Sequence, residues 1–312
     1  MVTNNNTKAS EEIPSDSLPN FLIIGAQKSG TTTLAEVLDL HPDVYISEPK
    51  EPHFLAYGDR DGLEPYPDAI SNTAPPAETL AEYSECFAKG RGVKARGEAS
   101  PSTMPLDRAL ERAVEFLGKP KIIAILRQPA ERAYSNYMHV VARHGESCKS
   151  FEDAIEAEQE RIADGWGPLW HYVDKGFYFR RLSLWAEAVG QENLKVVLFE
   201  ELKTNPRQLF REVFEFLEVD PDFEVGDPHQ ANPTRIPKNQ LAEKLIHTFR
   251  PIVRKPLSLL PKSVSNSLKR AVTSKPDKMD PKIKARLTEN YRDDIHQLEK
   301  LTGHDLSNWL SS

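Results

Sequence analysis

The stretch Phe21-Leu-Ile-Ile-Gly-Ala-Gln-Lys-Ser-Gly-Thr-Thr-Thr-Leu34 joins a short apolar strand to a helix through a turn that contains two glycines. Gly25 and Gly30 allow the backbone to turn tightly and to approach a ligand closely. The helix that follows directs its first unpaired N–H groups and the positive end of its dipole towards this turn. Lys28 and four hydroxyl side chains add charge and donors. The stretch therefore predicts an anion-binding loop on an α/β fold.

The spacing of the two glycines is that of a Walker A loop, in which a lysine follows the second glycine. In this chain Thr31 follows the second glycine, and the lysine lies inside the loop at position 28. A lysine in this place differs in position from the one that reaches the γ-phosphate of a bound nucleoside triphosphate. The loop therefore favours a shorter phosphate chain than that of ATP.

A second strand-to-helix junction lies in Lys121-Ile-Ile-Ala-Ile-Leu-Arg127 and the residues that follow it. Pro129 suits the first turn of a helix, where its missing N–H is no loss. Arg127 comes at the carboxyl end of the strand, the edge at which open α/β sheets hold ligands. Ser135 follows roughly two turns into the helix. An arginine fork and a serine hydroxyl that face one crevice suit a second, isolated phosphate, which ATP lacks.

Both junctions resemble motifs of the sulfotransferases that use 3′-phosphoadenosine 5′-phosphosulfate (PAPS). The first resembles their 5′-phosphosulfate loop, and the second resembles their 3′-phosphate motif. The segment Leu40–Phe54 is similar to the one that carries the catalytic base in heparan-sulfate-type sulfotransferases and their bacterial relatives, and Glu51 and His53 match its base and a nearby histidine. Later matches, in family order, are Gly176–Tyr178, Leu194–Leu202, Asn232–Lys238 and Leu306–Trp309.

The resemblance implies a P-loop-like three-layer α/β fold with a central parallel sheet flanked by helices. It implies transfer of a sulfuryl group from PAPS, without a metal, to a hydroxyl or an amine of a carbohydrate, a glycolipid or a small metabolite. The product nucleotide would be adenosine 3′,5′-bisphosphate. The catalytic residues that it implies are Glu51, Lys28 and His53. The cofactor contacts that it implies are Gln27, Lys28, Ser29, Gly30, Thr31, Thr32, Thr33, Arg127, Ser135, Arg235 and Lys238.

One position departs from the family pattern. Some glycosaminoglycan enzymes place a lysine after the glutamate of the strand that precedes the 3′-phosphate motif, and this chain has Ala99 there. Lys28 must then supply most of the positive charge at the sulfuryl group, unless Lys50, Arg60 or Lys94 reaches in. The departure weakens the case for heparan sulfate itself as the acceptor.

Short apolar runs that are rich in β-branched residues are typical of parallel strands buried on both faces. Such runs predict strands at Phe21–Gly25, Val93–Glu98, Lys121–Leu126 and Leu194–Phe199, with Val44–Ile46 as a short fifth. Helix starts are predicted at Ser150 with Asp153 as a capping box, at Asn205-Pro206 and at Asp280-Pro281. The apolar stripes predicted for the helices consist of Tyr178, Leu182, Trp185 and Val189, then Leu209, Val213, Phe216 and Leu217, then Ile283, Leu287, Tyr291, Ile295 and Leu298.

Composition indicates one enzyme domain at residues 19–312, preceded by a polar, disordered tail at residues 1–18. The formal charge of −7 argues against general nucleic-acid binding, which calls for a basic face. Residues 250–286 nevertheless carry eleven lysines and arginines against two aspartates. This Pro-punctuated basic insert is either a lid over an anionic acceptor, such as a glycan or glycolipid, or a solvated surface.

Cys86 and Cys148 have neither metal-ligand spacing nor the density of a disulfide framework. The chain begins without an apolar signal core and has no membrane-length apolar run, which favours a cytoplasmic, bacterial enzyme without a transmembrane segment.

Two alternatives to a sulfotransferase remain. A P-loop nucleotide kinase would need Mg²⁺ and a carboxylate ligand, but we interpret Glu200, the one candidate, as a structural carboxylate bonded to nearby backbone. A non-catalytic protein that binds a nucleotide or an anionic glycan is the other.

Overall fold

A computed structural model describes residues 14–58, 77–143, 145–225, 236–237, 273–274 and 278–311. Its centre is a five-stranded sheet in which all paired strands are parallel. The strands are β1 (Phe21–Gly25), β2 (Val44–Ile46), β3 (Ala95–Glu98), β4 (Lys121–Leu126) and β5 (Leu194–Leu198), in the order β2-β3-β1-β4-β5. The predicted sheet is confirmed. Two strand ends differ: β3 begins two residues later than predicted, and β5 ends one residue earlier because Phe199 begins a helix.

Helices surround the sheet. They are α1 (Thr31–Leu38), α2 (Phe54–Tyr57), α3 (Leu80–Glu85), α4 (Asp107–Leu117), α5 (Pro129–Arg143), α6 (Phe151–Glu156), α7 (Glu158–Ala163), α8 (Tyr178–Val189), α9 (Phe199–Thr204), α10 (Pro206–Phe216), α11 (Pro281–Asn290), α12 (Arg292–Thr302) and α13 (Ser307–Leu310). Short 3₁₀ turns lie at Ser15–Ser17, Ala88–Gly90, Pro168–Trp170, Asp174–Gly176 and Gln191–Asn193. Ile236–Pro237 and Thr273–Ser274 form a separate antiparallel pair.

The side chains of the central strands alternate between two apolar layers, as the period of two in a strand requires. Phe21 and Ile23 face the layer that contains α1 and α10, whereas Leu22 and Ile24 face the layer that contains α4, α5, α8 and α12. Helices therefore cover both faces of the sheet. The three-layer α/β architecture is the predicted fold class.

The predicted helix starts are observed. Ser150 Oγ accepts the N–H of Asp153 at 3.1 Å, and Pro206 and Pro281 each open a helix. The predicted inward position of Phe216 is wrong in part, because that ring is only half-buried while Phe210 and Phe214 are buried in the core. The buried face of α10 therefore contains Phe210 and Phe214, and Phe216 lies at the edge of that face.

The stripe after Pro281 belongs to two helices, where the sequence predicts one. The break falls at Tyr291, which separates α11 from α12. This ring is fully buried, its hydroxyl donates to the carbonyl of Val173 at 2.8 Å, and it packs against Phe177. The buried hydroxyl of Tyr291 thus finds its acceptor on a distant turn, which a hydrophobic period does not encode.

Only the end of the predicted tail, residues 14–18, is described. Ser15–Ser17 form a 3₁₀ turn, and both Ser17 and Leu18 are buried. Of the basic segment 250–286, Thr273–Ser274 and 278–286 are described, and the last six residues belong to α11; the rest of the lid prediction lies outside the described residues. Within the described ranges, no helix is both long enough and apolar enough to cross a membrane.

Candidate active site

The turn between β1 and α1 has the backbone of a tight anion-binding loop. Lys28 and Gly30 both adopt a left-handed conformation, with φ of 71° and 102°. At Gly30 a Cβ atom would lie 3.1 Å from the ring of Phe199 and 3.2 Å from Leu202. Glycine is thus required here both by the backbone angle and by the close approach of α9.

Backbone donors at the start of α1 point at this loop. The first helical bond runs from the N–H of Leu34 to the carbonyl of Gly30 at 3.0 Å, and no side chain caps the helix. The N–H groups of Thr31, Thr32 and Thr33 precede that bond, so they are the ones available to a ligand. Thr32 is exposed, Thr33 is half-buried and Thr31 is buried.

Ser29 is the most deeply buried of the hydroxyl residues in the loop. It is fully buried and lies beside the phenol of Tyr178, where it forms no hydrogen bond of normal geometry within the described chain. Burial raises the pKa of Tyr178 to about 12, and its hydroxyl donates to the carbonyl of Arg127 at 2.8 Å. Tyr178 therefore joins the two predicted phosphate motifs.

Three cationic side chains gather at the loop. Burial, together with the nearby guanidinium groups of Arg143 and Arg127, lowers the pKa of Lys28 to about 8. Mutual repulsion of this kind is relieved by an anion. Sequence analysis missed Arg143, although a signal existed: Ser135, His139 and Arg143 recur every fourth residue and so share one face of α5.

Arg127 lies directly after β4, as predicted, and is held by two neighbours. Its guanidinium pairs with Glu131 at 3.0 Å and lies 5.0 Å from the centre of the Phe199 ring. Its Nε is buried and has no hydrogen-bond partner among the described residues. Glu131 also lies 3.5 Å from Lys284. Ser135 is half-buried two turns into α5.

A compact group of charged residues follows β2. Glu51 Oε1 lies 2.5 Å from the amine of Lys50, and its Oε2 lies 3.6 Å from Nε2 of His53. The Glu51 side chain is 29% exposed, whereas that of His53 is 5% exposed. The carboxylate thus faces the open side of the site and the imidazole lies behind it.

His53 is oriented by a second partner and by its backbone. Its Nδ1 lies 3.0 Å from Ser102 Oγ, and burial lowers its pKa, so that the ring is neutral at neutral pH. Glu51 and His53, which the resemblance assigns to one site, lie close together, and His53 adopts a left-handed conformation, with φ of 56°, at the start of α2. A non-glycine residue in this conformation costs about 1–2 kcal/mol, a strain often found at functional sites.

One connection, from β3 to α4, joins this group to the anion loop. Ser102 in that connection bonds His53, and two residues later the N–H of Met104 donates to the carbonyl of Ile24 at 3.0 Å. The Met104 side chain packs over Gly25. The predicted base and the predicted phosphosulfate loop therefore lie next to each other at the carboxyl edge of the sheet.

The amine of Lys50 lies beside Ala99, the position that departs from the family pattern. Lys50 Nζ donates to the carbonyl of Ala99 at 3.1 Å while it contacts Glu51. Of the other candidates for the missing charge, Lys94 donates instead to the carbonyl of Glu218, and Arg60 lies outside the described residues. Lys50 is thus the lysine that reaches into the site.

Glu98, the residue before Ala99, is a buried carboxyl that sequence analysis did not assign. Burial raises its pKa to about 7, against the effect of hydrogen bonds from Ser100 and Tyr83. It is 1% exposed and so has no access to an acceptor. Its two hydrogen bonds tie the end of β3 to Tyr83 and to Ser100, at the start of the connection that carries Ser102.

Comparison with known proteins identifies the family. The profile of the sulfotransferase domain matches residues 18–299. This chain belongs to the sulfotransferase family. A crystal structure of a sulfotransferase from Alicyclobacillus acidocaldarius is 30% identical, with a TM-score of 0.71 over 93% of this chain and 98% of that one. Enzymes of this family use PAPS as the sulfuryl donor.

Relatives of known activity are longer than this sulfotransferase. The bifunctional heparan sulfate N-deacetylase/N-sulfotransferase 2 of Homo sapiens is 30% identical over 224 residues, which cover 68% of this chain and 23% of that protein. The bifunctional heparan sulfate N-deacetylase/N-sulfotransferase 4 of Mus musculus is 26% identical over 317 residues, which cover 96% of this chain and 32% of that protein. The chain therefore spans between about a quarter and a third of the length of these two relatives.

The kinase alternative is not favoured by these matches, and Glu200 does not behave as the sequence predicts. Its Oε2 is buried and has no hydrogen-bond partner in the described part of the chain, so the expected backbone bond is absent there. Glu201 takes that role, because its Oε2 accepts the N–H of Leu198 at 2.9 Å. No group of three or more potential metal ligands occurs within the described residues.

Two predicted contacts of this sulfotransferase cannot be placed. Arg235 and Lys238 lie outside the described residues. The backbone of Ile236–Pro237, between them, lies against α5, the helix that carries Ser135. The predictions for both side chains stay predictions.

Proposed function

We propose that this sulfotransferase transfers a sulfuryl group from PAPS to a hydroxyl or an amine of a carbohydrate acceptor. The observation that carries the proposal is the adjacency of a cationic loop, centred on Lys28, and the Lys50–Glu51–His53 group. A carbohydrate is supported by the names of the relatives, which act on heparan sulfate. Glycolipids and small hydroxylated metabolites present the same nucleophile, and the basic excess at 250–286 favours an anionic acceptor.

The residues present fit the cofactor. The N–H groups at the start of α1, Lys28 and Arg143 would hold the 5′-phosphosulfate end. Arg127 would exchange its contact with Glu131 for the 3′-phosphate, because Glu131 keeps Lys284 as a second cation and Arg127 Nε has no partner among the residues that the structure describes. Ser135 would donate to the same phosphate. When bound, PAPS supplies an activated sulfuryl group and a stable bisphosphate as leaving group.

The chain's own residues account for the transfer. Glu51 takes the proton of the acceptor as its oxygen or nitrogen bonds to sulfur, while the bond from sulfur to the 5′-phosphate breaks. Lys28 and the loop N–H groups stabilise the negative charge that gathers on the bridging oxygen. His53 and Lys50 hold Glu51 in place. Because these cations supply the charge and the bisphosphate leaves as an anion, we propose that the reaction needs no metal.

Binding of the product nucleotide tests the cofactor assignment. Adenosine 3′,5′-bisphosphate should raise the melting temperature in the presence of EDTA, and AMP at equal concentration should raise it much less. Arg127→Ala should weaken bisphosphate binding by about 1.5–3 kcal/mol, the range for hydrogen bonds to charged groups, and leave AMP binding nearly unchanged. Differential scanning fluorimetry and calorimetric titration measure both effects.

Arg211→Ala is the matched control, because Arg211 forms the same i,i+4 pair with Glu215 on the exposed side of α10. It should leave bisphosphate affinity at the wild-type value. Equal stabilisation by AMP and bisphosphate would contradict the 3′-phosphate site and with it the proposed cofactor.

Lys50→Met tests the lysine that contacts Glu51. The change removes a charge-assisted contact that orients the base, so kcat should fall roughly 10–100-fold while bisphosphate affinity is kept. Lys94→Met is the control, since that amine bonds Glu218 away from the site. Unchanged kcat in Lys50→Met, measured with labelled PAPS and a glycan acceptor, would exclude Lys50 from the reaction.

A further inference from the structure

Lys175 is a buried lysine that neither phosphate motif contains. It lies in the turn Asp174–Gly176 and is 6% exposed. Its Nζ donates to Oε1 of Gln27 at 2.7 Å and to Oδ1 of Asn136 at 3.0 Å. Gln27 precedes Lys28 in the anion loop, and Asn136 follows Ser135 on α5. One amine therefore bonds the two segments that are proposed to hold opposite ends of the cofactor.

The burial of this amine is unfavourable in itself. Burial lowers the pKa of Lys175 well below its usual value, and the neighbouring Arg132 guanidinium acts in the same direction. Glu158 stabilises the turn by accepting the N–H groups of Val173 and Asp174 at 2.6 and 2.7 Å. The hydrogen bonds that Lys175 itself donates within the described residues go to two neutral amide oxygens, not to a carboxylate. A buried lysine that bonds only neutral groups contributes little to stability, because no opposite charge offsets the cost of its burial.

The hydrogen bond from Lys175 fixes the orientation of the Gln27 amide. Lys175 presents N–H donors in either protonation state, so the oxygens of Gln27 and Asn136 face it. Asn136 uses its own NH₂ group to donate to the carbonyl of Leu169 at 2.8 Å. The NH₂ group of Gln27 is directed away from Lys175 and makes no hydrogen bond within the described residues. It is a donor held on the loop, beside Lys28.

We propose that Lys175 is a positioning residue that fixes the Gln27 amide so that its NH₂ group donates to the 5′-phosphate of the nucleotide. The bond from the same amine to Asn136 on α5 holds Lys175 in place beside the anion loop. This inference rests on the proposed function, because it assumes that the loop binds the 5′ end of an adenosine bisphosphate.

A double-mutant cycle tests the proposal, with adenosine 3′,5′-bisphosphate titrated calorimetrically into the full chain. Lys175→Met keeps the length of the side chain and removes its donors, and Gln27→Ala removes the amide. Each should weaken binding about tenfold, as expected for one hydrogen bond to a charged group. The double variant should be weaker by about the same tenfold and not by the product, because Lys175 acts through Gln27. A structural role alone would give additive effects, which would overturn the proposal.

Gln27→Glu serves if Lys175→Met fails to fold. The carboxylate keeps an acceptor for Lys175, so the melting temperature should be retained or raised, but it has no N–H to donate to a phosphate. Bisphosphate affinity should fall at least tenfold; retention of affinity would overturn the role of the Gln27 NH₂ group. Failure of the wild-type chain to bind bisphosphate would instead contradict the proposed function, so the two failures are distinguishable.

Discussion

Replacing Glu51 with glutamine is expected to lower turnover about 10²–10⁴-fold while adenosine 3′,5′-bisphosphate still binds. Glutamine keeps the shape of the side chain and an oxygen for the contact with Lys50, but it cannot take a proton. The carboxylate is the exposed member of the pair, with His53 buried behind it. Initial rates with labelled PAPS and a glycan acceptor measure the effect.

His53→Gln is the comparison that separates base from positioning residue. His53 bonds Ser102 and faces Glu51, so its replacement should loosen the base and cost less than Glu51→Gln. Since burial lowers the pKa of His53, a rate limb that reported His53 as the base would lie below its usual value near 6.5. A limb of that kind that disappears only in His53→Gln, together with a larger loss of rate there, would assign the base to His53.

Lys28→Ala is expected to be at least as damaging to turnover as Glu51→Gln. In the proposed mechanism Lys28 stabilises the charge that gathers on the leaving oxygen, so its loss would remove an interaction that is strongest in the transition state. Single-turnover rates measure the chemical step directly. A loss of less than about tenfold would show that Arg127 and Arg143 suffice without it.

The same residue predicts a pH dependence of nucleotide binding. The pKa of Lys28 is about 8 in the free protein, and a bound anion raises it. Bisphosphate affinity should therefore be constant below about pH 8 and should fall as the pH rises above it, because the free amine loses its charge first. Lys28→Arg keeps its charge and should show no such fall. Calorimetric titrations between pH 7 and 9.5 compare the two, and equal slopes would contradict the role of Lys28.

Local sequence was enough to predict the sheet and the two junctions. A run such as Phe21–Gly25 is apolar on both faces, so it is stable only as a buried strand, and Gly30 and Pro129 restrict where the following helices begin. These signals lie within a few residues of the structure that they determine. The family resemblance of Glu51 and His53 could be seen for the same reason.

Other features depend on contacts between distant segments. At the helix break, the hydroxyl of Tyr291 bonds the carbonyl of Val173. The half-burial of Phe216 depends on how α10 packs against the sheet. Glu201, and not Glu200, accepts the backbone N–H of Leu198, and Glu200 Oε2 has no partner within the described residues. A hydrophobic period states which residues prefer the interior, but it does not state which polar groups meet there.

The sequence by itself determined the parallel α/β core, the anion loop around Lys28 and the residue types of the site, because each is encoded by neighbours along the chain. The tertiary structure alone decided that Lys50 reaches the carbonyl of Ala99, that Arg143 joins the cations of the loop and that Lys175 holds Gln27. Such pairs are up to 148 residues apart. They meet because parallel strands bring their carboxyl ends to one edge, where long side chains from separate connections compete for the same acceptors.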